Sequence, residues 1–134
     1  MVAINVEGNL LSAVWVGDSE FIVIRGGRIM ESNFDGLHGI GNRLFNAVGS
    51  TLPAGGIPGK TLVLQQGDIV ILGSDGIFGP LTGGSRNINS YISFIEAQAK
   101  GGRNPEAIKQ EILRAVGATG RAGDDASLIV YVHG

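Results

Sequence analysis

Between residues 2 and 30 the chain breaks into four short Val- and Ile-rich runs, each followed by only two or three turn-forming residues, and this punctuation restricts the fold more than any other feature. The runs are Val2–Glu7, Leu10–Val16, Glu20–Arg25 and Arg28–Met30, separated by Gly8-Asn9, Gly17-Asp18-Ser19 and Gly26-Gly27. Apolar runs of this length with such connections predict antiparallel hairpins, here a β-meander. The 23 glycines among 134 residues, against a usual share of about 7%, fit many tight turns between short elements.

The rest of the chain changes character twice. From Glu31 to Lys60 glycines and prolines predict loops, with one short element at Arg43–Val48. Thr61–Leu64 and Ile69–Leu72 predict two further strands, and the unbroken Ile-Val-Ile-Leu predicts one covered on both faces. Ile88–Lys100 carries apolar residues three and four apart and ends at Gly101-Gly102, as an amphipathic helix does. A second helix is marked by Asn104 as cap, Pro105 at its first position and Gly117 as its stop. Ala126–Val132 closes the chain as a strand. Strands, a helix pair and a last strand predict a single α+β domain over 1–134, built mostly of antiparallel sheet.

A formal charge of −2 with no polybasic stretch removes the electrostatic case for a nucleic-acid binder. No apolar run approaches the roughly 20 residues needed to span a bilayer, and the N-terminus lacks the basic region of a secretory signal, so a cytoplasmic address is expected. The absence of cysteine excludes thiolate catalysis and cysteine-ligated metal sites. His38 and His133 are read as a loop and a terminal residue. Ala54–Thr61 matches a relaxed phosphate-loop pattern, but Leu62-Val63-Leu64 continues it as a strand where the chemistry needs a helix.

What survives is carboxylate chemistry. Asp75 follows the strand Ile69–Leu72, and Asp124 precedes the strand Ala126–Val132. If these strands are antiparallel neighbours, both side chains emerge at one edge of the sheet. Converging carboxylates repel unless a cation lies between them, and an all-oxygen set suits magnesium or manganese. Asp18 and Asp125 could join them. The plain alternative is that Asp-Gly and Gly-Asp pairs form turns and nothing more.

Four stretches in order, Val16-Gly17-Asp18-Ser19, Asn46-Ala47-Val48-Gly49, Leu64–Ile77 containing Ser74-Asp75-Gly76, and Gly123-Asp124-Asp125-Ala126-Ser127-Leu128, resemble the motifs of the metal-dependent PPM (type 2C) protein phosphatases. The Gly-Asp-Asp-x-Ser ending and Gly56-Ile57-Pro58-Gly59 resemble the bacterial sporulation-type branch. The resemblance implies a protein Ser/Thr phosphatase with part of an αββα sandwich, and a Mg or Mn centre held by Asp75 and Asp124, with Asp18 serving a weaker third ion. It also implies that the family's N-terminal half is missing; Asp35-Gly36-Leu37-His38-Gly39 resembles the lost aspartate motif but falls after the Gly-Asp-Ser hairpin. Expected partners are a phosphoprotein substrate or regulator, and another copy or a separate chain covering the apolar face of strands such as Ile69–Leu72. The alternatives are a catalytically silent phosphatase-like module that binds a phosphoprotein or a subunit, and a β-rich binding domain without metal.

Overall fold

The computed structural model of the chain describes residues 1–33, 59–83, 88–123 and 125–134. The short element expected at Arg43–Val48, and Asp35, His38 and Asp124, lie outside these residues.

Strands β1 (Val2–Glu7) and β2 (Leu10–Trp15) form one hairpin, and β3 (Glu20–Arg25) and β4 (Arg28–Ser32) a second. Gly26 and Gly27 both sit at positive φ, 56° and 76°, the backbone that matches a two-residue turn to the twist of its strands. The expected single meander is not what forms. β1 and β2 join β5 (Gly59–Val63) in a three-stranded sheet, whereas β3 and β4 join β6 (Ile69–Gly73) and β7 (Leu128–Val132) in a four-stranded one. The chain changes sheet at Gly17-Asp18-Ser19, returns to the first sheet between β4 and β5, and changes again between residues 64 and 68. Stacking explains the change: Leu11, Ala13 and Trp15 of the first sheet bury themselves against Phe21, Val23, Val70 and Leu72 of the second, which hairpins lying side by side could not do. The strand at 59–63 also disposes of a phosphate loop, since no helix begins at Lys60.

Three helices cover the other face of the four-stranded sheet. α1 (Asp75–Thr82) starts two residues after β6, where the sequence suggested only a turn. α2 (Ile92–Gly101) follows a short 3-10 turn at Ile88–Tyr91, and α3 (Pro105–Ala118) begins at the expected cap, with Asn104 Oδ1 accepting from the N–H groups of Glu106 and Ala107 at 3.0 and 3.1 Å. Gly117 does not end α3. The helix runs one residue further and is closed by Thr119, whose hydroxyl donates to the Val116 carbonyl at 2.7 Å, before Gly120 turns the chain at φ 66°.

The described residues thus form sheet, sheet and helix layers with two cores. One lies between the sheets; the other joins Ile22, Ile24, Ile69 and Ile71 to Phe78, Phe94, Ile108 and Ile112 of the helices. The expectation that Ile69–Leu72 is left open on one side is overturned: every residue of β6 is buried, because the chain supplies both the facing sheet and the helices. What stays exposed is the outer face of the three-stranded sheet, with Leu10, Val14 and Val63.

Candidate functional site

β6 and β7 are antiparallel neighbours, which is the condition for bringing the two acidic stretches together. The register is more specific. Glu20 opposes Gly73, and Gly73 opposes Leu128, so the start of β3, the end of β6 and the start of β7 lie in one line across the sheet. The turn carrying Asp18, the helix start carrying Asp75 and the segment carrying Asp125 therefore leave the sheet at the same end.

Two of these segments are clasped. Ser74 donates its backbone N–H to the Ser127 carbonyl at 3.0 Å, and its Oγ accepts the Ser127 N–H at 2.9 Å. The pair continues the β6–β7 ladder past the strand ends and presses 125–127 against the first turn of α1. Gly76 is required at that contact: a Cβ there would sit 2.6 Å from the Asp125 carbonyl oxygen. Gly73 is equally constrained, since its Cβ would meet the Phe78 ring at 2.7 Å.

Asp75 is half-buried in the first turn of α1, where the positive end of the helix dipole favours a carboxylate. It lies over Gly79, whose Cβ would come within 3.2 Å of Asp75 Oδ1. Asp18 and Asp125 are exposed. Beside them a cleft of about 240 Å³ opens between the sheets, lined by Ser19, Ser74 and Ser127 together with Met1, Val2 and Ile129. Among the described residues no three His, Asp or Glu side chains converge as a metal site, and Asp124 lies outside them. The acidic side chains that share this end offer carboxylate oxygens, the chemistry that suits Mg or Mn.

Sequence reasoning quoted Ser74, Gly76 and Ser127 inside its motifs but gave them no part in drawing the acidic segments together. Only Ser74 carried a local signal: a serine directly before an acidic residue and an Ile-Phe pair is a helix start. Its partner Ser127 is 53 residues away and becomes visible only once the strands pair.

This architecture recurs in solved structures. PppA, a key regulatory component of T6SS in Pseudomonas aeruginosa, superposes with TM-score 0.72 at 21% identity over 98% of this chain and 56% of that one. The manganese-presoaked phosphatase domain of the cell fate determinant SpoIIE from Bacillus subtilis gives 0.69 at 18% identity, over 99% and 56%. The Mycobacterium tuberculosis serine/threonine phosphatase PstP/Ppp gives 0.67 at 19%, over 98% and 58%. At these identities the likeness is one of fold, and this chain spans just over half the length of each of the three. The fold is that of the PPM-type phosphatases. Residues 46–133 match the family described as Stage II sporulation protein E (SpoIIE), which includes both acidic motifs, and the chain belongs to that family. Comparison with curated proteins gave no match.

Proposed function

We propose that this chain carries the metal-binding end of a Mg- or Mn-dependent protein serine/threonine phosphatase, with Asp75 and Asp124 as ligands and Asp18 beside a weaker third ion. The observation that supports this most is the Ser74–Ser127 clasp, which holds the Asp75 turn against the segment following Asp124. In the reaction, a water oxygen bonds to phosphorus in line as the bond from phosphorus to the serine or threonine oxygen breaks. A proton passes to the departing alkoxide, and inorganic phosphate and the free hydroxyl are released. A divalent cation, when bound, supplies charge neutralisation at the phosphate and acidifies water.

The chain's own residues position the site. Asp75 is pre-oriented on a helix whose buried face, Ile77 and Phe78, anchors it in the core, and Gly76 allows the close approach of 125–127. The chain has no Cys and two His, in keeping with a reaction in which water, and no protein side chain, attacks phosphorus. A phosphorylated regulatory protein in the cytoplasm is the proposed substrate. No helix among the described residues is long and apolar enough to cross a membrane.

The alternative reading is a catalytically silent module that binds a phosphoprotein or subunit. Hydrolysis of a phosphoserine peptide with and without manganese separates the two. The enzyme reading expects manganese-dependent turnover that falls by about 100-fold or more in Asp75→Asn. Peptide binding without turnover supports the silent module, and turnover indifferent to both manganese and the substitution overturns the assignment of Asp75.

A further inference from the structure

The turn that carries Asp18 lies between strands and belongs to neither sheet. Gly17 takes a positive φ of 82°, Asp18 is exposed, and regular structure resumes only at Glu20. Its two flanks are nevertheless fixed. Before the turn, the Val16 N–H donates to the Met1 carbonyl at 2.8 Å. After it, one side chain holds two backbone groups: Asn33 Nδ2 donates to the Ser19 carbonyl at 2.9 Å, and Asn33 Oδ1 accepts the Phe21 N–H at 2.9 Å. A backbone N–H can only donate, so the carboxamide oxygen must face Phe21 and the NH2 must face Ser19. Asn33 is 2% exposed, which keeps water from replacing it at either bond.

Strand pairing alone does not call for this side chain. β3 and β4 pair as far as Ile22 and Ser32, and the Asn33 N–H adds a 3.4 Å bond to the Phe21 carbonyl. In a regular rung the Phe21 N–H would return to the Asn33 carbonyl. The Asn33 side chain takes that bond instead and reaches two residues further, to Ser19. From the helix layer, Glu20 Oε2 accepts the Tyr91 hydroxyl at 3.2 Å, so the start of β3 is gripped on a second side.

We infer that Asn33 is a positioning residue for Asp18: by holding the Ser19 carbonyl it fixes, before any cation arrives, the backbone from which the Asp18 carboxylate meets one. This rests on the phosphatase reading and adds how the Asp18 arm of the site is kept in place. Neighbouring Cα atoms are about 3.8 Å apart, so an anchored Ser19 leaves Asp18 little room to wander. A carboxylate on an ordered turn gives up less conformational freedom on binding than one on a loose turn. The turn also leaves the sheet at the same end as Asp75, where such order is useful.

Two variants separate the bonds. Asn33→Ala removes both, whereas Asn33→Asp keeps an acceptor for Phe21 and loses the donor to Ser19. In the cation-free protein, amide relaxation should give order parameters of about 0.85 at Asp18 and Ser19 in wild type and below about 0.6 in either variant. In a magnesium titration, side-chain carboxyl carbon resonances report each aspartate separately. The midpoint at Asp18 should rise about tenfold in either variant, and that at Asp75 by less than about twofold. Asp68→Ala, which acts at the opposite end, is the control for lost stability and should move neither readout. A loose Asp18–Ser19 turn in cation-free wild type overturns the inference, and decides it even if neither variant folds. A variant whose turn stays ordered, or whose two midpoints move together, overturns it as well. Magnesium that moves neither resonance in wild type overturns the phosphatase reading and the role of Asn33 with it.

Discussion

Asp68→Ala is expected to lower the free energy of unfolding by about 3 kcal/mol, the lower end of the cost of breaking a buried ion pair, because its partner Arg25 keeps contact with solvent. Asp68 is fully buried at the crossover from one sheet to the other. Its Oδ1 accepts from Arg25 Nε at 2.8 Å, and its Oδ2 accepts from Arg25 Nη2 at 2.6 Å and from the Gln65 N–H at 2.8 Å. Truncation leaves the Gln65 amide and a guanidinium without their acceptor while the backbone still has to make the same turn. Urea unfolding of both proteins measures the difference; a loss below about 1 kcal/mol, the range of a surface pair, would contradict the structural role given to it.

The same group sets a pH dependence. Burial pushes the Asp68 carboxyl up, but the hydrogen bonds from Arg25 and Gln65, with the charges of Arg25 and His133, outweigh it and hold the pKa below the usual aspartate value. A depressed folded pKa means that the unfolded chain binds the proton first. The contribution is therefore complete above the unfolded value of about 4 and is lost as pH falls through the folded one. Stability should decline on acidification below about pH 4, and Asp68→Asn should flatten that part of the profile.

The second large effect is expected at Gly76. Gly76→Val places a side chain where even a Cβ lies 2.6 Å from the Asp125 carbonyl oxygen and 3.2 Å from Ala126 Cα, both backbone, so either α1 or the 125–127 segment has to move. Overpacking of this sort costs about 1–3 kcal/mol, and displacement of 125–127 opens the Ser74–Ser127 clasp, so manganese affinity should fall with it. Gly117→Ala is the control. It sits within α3 with open space around its missing Cβ, and the substitution should stabilise by about 0.5–1 kcal/mol. Calorimetric unfolding with and without manganese reads both; equal stability and equal metal response in Gly76→Val and wild type would remove the basis for the clasp.

These sites also mark what the sequence disclosed. The strands, α2 and α3 were legible because their signals are local: alternation or runs of Val and Ile, a three-and-four spacing, and Asn104-Pro105 at a helix start. Sheet membership was not, because Gly17-Asp18-Ser19 and residues 65–68 are as short as hairpin turns yet carry the chain between sheets; which happens depends on Trp15, Phe21 and Leu72 finding each other. α1 was hidden by Gly76, Gly79 and Pro80, residues of low helix propensity that tertiary packing of Ile77 and Phe78 overrides. At the site, the acidic positions were legible as motifs, while the hydrogen bonds that draw their segments together join residues about fifty positions apart.

The proposed function stands on Asp18, Asp75 and Asp124 sharing one divalent-cation site. Titrating manganese into the isotope-labelled protein and following paramagnetic broadening of its amide resonances tests it most directly. Broadening centred on Ser19, Ser74–Ile77 and Ser127, saturable and abolished by Asp75→Asn, is the expected result. Broadening centred on the far end, around Asn9, Asp68 and His133, or none at all, would contradict it.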